Sequence, residues 1–315
     1  MDTDSLPTCP QITRVMPPSS PIRRVFFGED GLRAGWRFLI FVVLWVMCVV
    51  AIRLGLRQIP PLRQVLDQAQ SGTMTPSFEF VFEPAVIAGL FLVTLVMAKI
   101  EKRSFWSYGL PLNAAFGKLF WQGAIWGLAM ESIEMFAIYV LHGFSFGSLA
   151  LSGFPLVKYA SLWAFAFVLV GIFEEFSFRG YAQFTLARGI GFWPAAILLS
   201  ALFGAVHLGN PGEGWIGALS VVVFSLFACF TLLRTGSLWF AVGLHAAGDY
   251  AETFVYSVRD SGMKATGHLL NSSFHGARWL TGGTIGPEGS VLDFVVFLIA
   301  FVVFARLYPA KRMTL

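Results

Sequence analysis

Apolar residues in this 315-residue chain come in long runs rather than in alternation. Eight runs approach the ~20 residues that a membrane-crossing helix needs. They lie near 36–56, 80–99, 119–142, 156–178, 191–209, 215–233, 237–258 and 290–308. Polar stretches with Gly and Pro separate them, as turns and loops do. The pattern predicts an all-α, polytopic membrane protein with about eight transmembrane helices. The polar segment 1–30 contains "MPPSSPIRR" and no apolar run of signal-peptide length. It is expected to be a disordered cytoplasmic arm, with residues 31–315 forming the integral membrane domain.

Composition agrees with that pattern. The chain is 56% hydrophobic and only 13% charged, against about 25% charged in soluble domains. Its mean hydropathy is +0.70. The net charge of +4 is small, so the expected surroundings are a lipid bilayer and no nucleic acid. Cys9, Cys48 and Cys229 are far apart and match no metal or redox spacing. Orientation follows from Lys and Arg, which favour the cytoplasmic side. Fifteen of the 22 fall on the side of the N-terminal arm and the C-terminal tail. Both termini are therefore expected in the cytoplasm of a multi-pass cell-membrane protein, with the Gly- and Ser-rich 259–289 loop outside.

The runs hold more acids and histidines than packing asks for, although a charge at a membrane helix centre costs about 2.5–3.5 kcal/mol on insertion scales. Glu83 and Asp293 fall near helix ends, where they can snorkel or cap. Glu131 and Glu134 are three apart on one helix face and can pair with arginine or line a cavity. Three clusters have more telling spacing. In "EEFSFRG", Glu175 and Arg179 stand at i and i+4, so they share a face and can pair. Glu174 lies about 100° round the helix. It is left without that partner, a candidate general base.

The second cluster is "FGAVH", Phe203 to His207. Glu174 precedes the "RGIG" connection by about as many residues as His207 follows it, so an antiparallel hairpin sets them level. The third is "HAAGDYAE", which puts His245, Asp249 and Glu252 at i, i+4 and i+7, on one helical face. A packing reading makes that face a hydrogen-bonded ladder between helices. A functional reading turns it toward Glu174 and His207. The depths agree only if 176–190, with Arg179, Gln183, Thr185 and Arg188, projects partly into the cytosol. The site is then expected in the cytoplasmic half or near mid-membrane.

In this order the clusters resemble the CPBP (CAAX protease and bacteriocin-processing, or Abi) family of intramembrane endopeptidases. Its type II CAAX prenyl endopeptidases carry EExxxR, FxxxH and HxxxN motifs. The resemblance covers about 120–258 and places the catalytic residues on the fourth, fifth and seventh spans. It implies that Glu174 activates water, that His207 holds it, and that His245 and Asp249 support the oxyanion. Glu175, Arg179 and Phe203 then play supporting parts. Alternatively Glu174, His207, His245 and Asp249 hold zinc, whose bound water would be acidified. Asp249 departs from the family's Asn, and an ionised Asp would repel an oxyanion. The implied substrate is a peptide or protein at the membrane, lipidated or not, in CAAX-like processing or bacterial maturation and immunity. Rival readings are a proton-coupled carrier using Glu131, Glu134, Glu174 and Glu252, and a non-catalytic scaffold.

Overall fold

A computed structural model describes residues 25–28 and 31–309. Residues 1–24 and 29–30 of the expected arm lie outside the described residues. Most of the described chain is helix. The eight expected runs appear as α1 (Ala34–Arg57), α3 (Pro76–Ile100), α4 (Lys118–Val140), α5 (Gly153–Arg179), α7 (Phe192–His207), α8 (Trp215–Thr235), α9 (Trp239–Tyr250) and α10 (Val291–Leu307). Two more helices of ten or more residues intervene: α2 (Pro60–Gln70), and α6 (Tyr181–Ile190), in the segment expected to project beyond the bilayer. Among the described residues, five stretches are long and apolar enough to cross a membrane unaided: α1, α3, α4, α8 and the α5–α6 stretch. Helices α7, α9 and α10 span 16, 12 and 17 residues, short of the ~20 of a full crossing.

The centre of the bundle is α9. It packs along α4 and α5, while α3 lies on α5, α7 on α8, and α10 on α4 and α8. The α4–α9 approach depends on missing side chains. A Cβ on Gly123 or Gly127 would overlap the Phe240 or Leu244 carbonyl oxygen, and one on Gly243 would overlap that of Phe120. Small residues let membrane helices close in this way. Four residues beyond Gly127 on the same face stands Glu131, and then Glu134. The close contact thus opens, one turn later, into an acid-lined space.

Helix α5 ends at Arg179, and the chain bends at Gly180 into α6. The 38 residues from Gly153 to Ile190 would extend ~57 Å as helix, well over the ~30 Å hydrocarbon core. Yet the far part is not a solvated projection, as its polar content had suggested. Arg179, Gln183 and Thr185 are buried, because α6 is covered by α1 and α7. Tyr181 packs on Phe41 of α1 and on Tyr108. Its hydroxyl donates to Glu101, which also pairs with Arg37 at 3.0 Å.

At the opposite end, the 256–290 segment lies against the bundle rather than trailing from it. Lys264–Ala265 pairs with Thr73–Met74, and Ser273–Phe274 with Phe144–Ser145. The Trp163 indole donates to the Thr266 carbonyl at 3.0 Å. These ties hold Asp260 and Glu288 over the end of α9.

Candidate active site

Helices α5, α7 and α9 bring Glu174, His207, His245 and Asp249 together. Glu174 Oε2 lies 3.9 Å from His207 Nε2 and 3.6 Å from His245 Nε2. Asp249 Oδ2 lies 3.5 Å from the same His245 nitrogen. Both imidazoles are held from behind. His207 Nδ1–H donates to the Phe203 carbonyl at 2.8 Å, the i−4 position on its own helix. His245 Nδ1–H donates to Glu175 Oε1 at 2.8 Å. Each ring therefore turns Nε2 toward Glu174. Gaps of 3.6 and 3.9 Å are too long for direct hydrogen bonds and suit a bridging water.

The neighbouring acids divide as their spacing predicts. Glu175 and Arg179 are both fully buried, with Arg179 Nη1 3.5 Å from Glu175 Oε1. Glu174 keeps 23% of its side chain exposed. One contact was not legible in the helix pattern: Glu175 also orients His245. Its part is therefore to position a site histidine as well as to balance Arg179. The Arg179 guanidinium lies 4.4 Å over the Phe203 ring and 5.9 Å from Phe224. Phe203 meets the His207 ring edge-on at 4.5 Å, and Phe224 meets His245 at 4.8 Å. Sequence reasoning named Phe203 and missed Phe224, which carries no motif.

A cavity of about 220 Å³ joins this cluster to the loop end of the bundle. Glu131 and Glu134 line it, as the cavity reading of that pair expects, and among the described residues no arginine lines it. Glu83 lines it too and is buried rather than snorkelling. Asp293, expected to cap or snorkel, faces the same space and accepts from the Ser220 hydroxyl. Glu79, Asp260 and Glu288 were not foreseen as site residues, the last two because a Gly- and Ser-rich loop reads as solvated. The cavity runs from Glu174 toward that loop, where Asn210, Asp260 and Glu288 line it. It is thus not confined to the half of the bundle nearer the termini.

Glu252 lines the same cavity as His245 and Asp249. After Tyr250 the helix widens into a π turn, Ala251–Val255, a feature that recurs at functional sites. Glu252 then joins Asp260 and Glu288, and their carboxylate oxygens all lie within 4.8 Å of one another. Thr253 Oγ1 donates to Asp260 Oδ2 at 2.9 Å. The Ser261 N–H donates to Glu288 Oε2 at 2.8 Å. Burial holds the Asp260 carboxyl up at about 6, against the opposing pull of the Thr253 hydroxyl. Burial and the nearby Asp260 raise Glu288 well above the usual carboxylate range.

Two histidines and carboxylates are zinc-type donors. Among the described residues, however, the one group of three that closes within 4.8 Å is Glu252, Asp260 and Glu288. Glu174, His207, His245 and Asp249 do not form such a group, although single donor separations among them are 3.5–3.9 Å.

An acid thus stands level with two backed imidazoles inside a bundle of apolar helices. Residues 155–251 match the family model described as "Type II CAAX prenyl endopeptidase Rce1-like". That segment contains all four catalytic candidates, and its match agrees with the motif resemblance. The chain has the apolar helices of a multi-pass membrane protein, and its 155–251 segment is similar to CAAX-type endopeptidases. No curated protein and no solved structure gives a match.

Proposed function

We propose that the chain hydrolyses a peptide bond of a membrane-borne protein through a water activated by Glu174, with no step through zinc. The observation that carries this reading is the position of Glu174 Oε2 between the Nε2 atoms of His207 and His245. A water in that gap gives one proton to Glu174 while its other hydrogen is held by His207 Nε2. The water oxygen bonds to the scissile carbonyl carbon, and the carbonyl oxygen becomes an oxyanion. His245, its Nδ1–H held by Glu175, turns Nε2–H toward that oxygen. Glu174 then passes its proton to the departing amide nitrogen, and the C–N bond breaks.

Asp249 serves this scheme as a protonated donor or by steering His245, since an ionised carboxylate would oppose the oxyanion. A lipid-modified substrate suits a site among membrane helices, and both CAAX-like processing and a bacterial maturation role fit that chemistry. The test is cleavage of fluorogenic CAAX peptides, prenylated and plain, by the purified chain. Phenanthroline, which removes zinc, is expected to leave the rate unchanged. Loss of activity restored by zinc would contradict the proposed chemistry.

The carrier reading keeps one supporting observation: Glu131, Glu134, Glu174 and Glu252 line a single cavity. Proton-driven uptake into liposomes, lost in Glu131→Gln, would favour it over the peptidase mechanism.

A further inference from the structure

We propose that Glu252, Asp260 and Glu288 form a binding site for a hard divalent cation of the calcium class. The site is separate from the Glu174–His207–His245 cluster and ties the 256–290 loop to the end of α9. The three carboxylates come from three places in the chain: the π turn, the loop start and the loop end. Each offers an oxygen within 4.8 Å of the other two. Three oxygens at that spacing have a common centre within about 2.8 Å of each, so a small inward shift brings them to the ~2.3–2.6 Å of calcium–oxygen bonds.

Unused acceptors point to the same ligand. Glu252 is 4% exposed, and its Oε1 has no hydrogen-bond partner. Glu134, from the separate helix α4, is 2% exposed, and its Oε1 is likewise without a partner. It lines the same cavity. Glu131 Oε1, on the same cavity, is a third such atom. Buried polar atoms ordinarily find partners. Among the described residues no Lys or Arg lines this cavity to supply one.

The donor set selects the ion. All its atoms are oxygens, which suit calcium, magnesium and manganese rather than zinc or copper. An ammonium group from a substrate lysine has three N–H donors. With Glu131 and Glu134 lining the same cavity, five carboxylates exceed that number, whereas calcium takes about 6–8 oxygens. The ligands are also held. The Thr253 hydroxyl fixes Asp260, and Ser261 fixes Glu288 through N–H and hydroxyl. Gly286, at φ +123, packs against Glu252 Oε1 and the Arg259 carbonyl where a side chain would intrude.

The test uses the full chain purified in detergent, stripped with EDTA and dialysed. Thermal unfolding and titration calorimetry are then followed with calcium, magnesium or zinc chloride alone. Calcium is expected to bind with one-site stoichiometry and to raise the unfolding midpoint by several degrees. Magnesium is expected to act more weakly, and zinc not at all. Asp260→Asn and Glu288→Gln should each weaken calcium binding at least tenfold, while Glu174→Gln leaves it intact. The absence of heat and of any shift in the wild type would overturn the proposal without recourse to a variant. So would binding lost in Glu174→Gln but kept in Asp260→Asn. Heat from lysine methyl ester with none from calcium would assign the acids to a cationic substrate group instead.

Discussion

Adjacent acids in one helix do different work because a helix turns by about 100° per residue. Glu175 faces inward, where Arg179 and the His245 Nδ1–H both meet its Oε1. Glu174 faces the cavity and the two Nε2 atoms. Breaking a buried ion pair from one side costs about 3–5 kcal/mol. Glu175→Gln is therefore expected to lower the unfolding midpoint and the cleavage rate together, measured by thermal unfolding and peptide assay. Asp249→Asn restores the amide that the family motif carries, and an amide donates to an oxyanion. Its expected effect is a kcat equal to or above wild type with little change in KM; a hundredfold fall in kcat would show that the carboxylate itself is needed.

Helix packing decides whether those residues meet. The "GAIWG" stretch, Gly123 to Gly127, lets α4 lie against the α9 backbone. A Leu at Gly127 would force the helices apart. Gly127→Leu is expected to abolish the monodisperse folded protein in size-exclusion chromatography, whereas Gly248→Ala, where a Cβ meets nothing, should be tolerated. Much at this scale was legible. All eight apolar runs became helices, and equal offsets about the 188–191 connection did set Glu174 beside His207. The i, i+4 rule found the Glu175–Arg179 pair and the His245–Asp249 approach. It did not foresee that Glu252, on a π turn, would meet Asp260 and Glu288. It also had no hold on Asp260 and Glu288, whose positions follow from pairing of the loop with distant segments. Hydropathy missed that α6 is polar yet buried, since its cover comes from α1, more than a hundred residues earlier.

For the whole molecule, the cavity rim belongs to the 208–214 and 256–290 connections, at the end away from α1's start. The excess of Lys and Arg on the terminal side would place that rim outside the cell. A cysteine at exposed Ser273, introduced in a Cys-free background, is then expected to react with an impermeant maleimide in intact cells. Labelling only after lysis would reverse the orientation. The account's central claim is that Glu174 activates the attacking water. The most direct measurement is the cleavage rate of a quenched CAAX peptide by purified wild-type and Glu174→Gln protein in proteoliposomes, with unfolding midpoints recorded alongside. General-base loss predicts a fall of at least about 100-fold at an unchanged midpoint. Cleavage by Glu174→Gln at the wild-type rate would contradict the account.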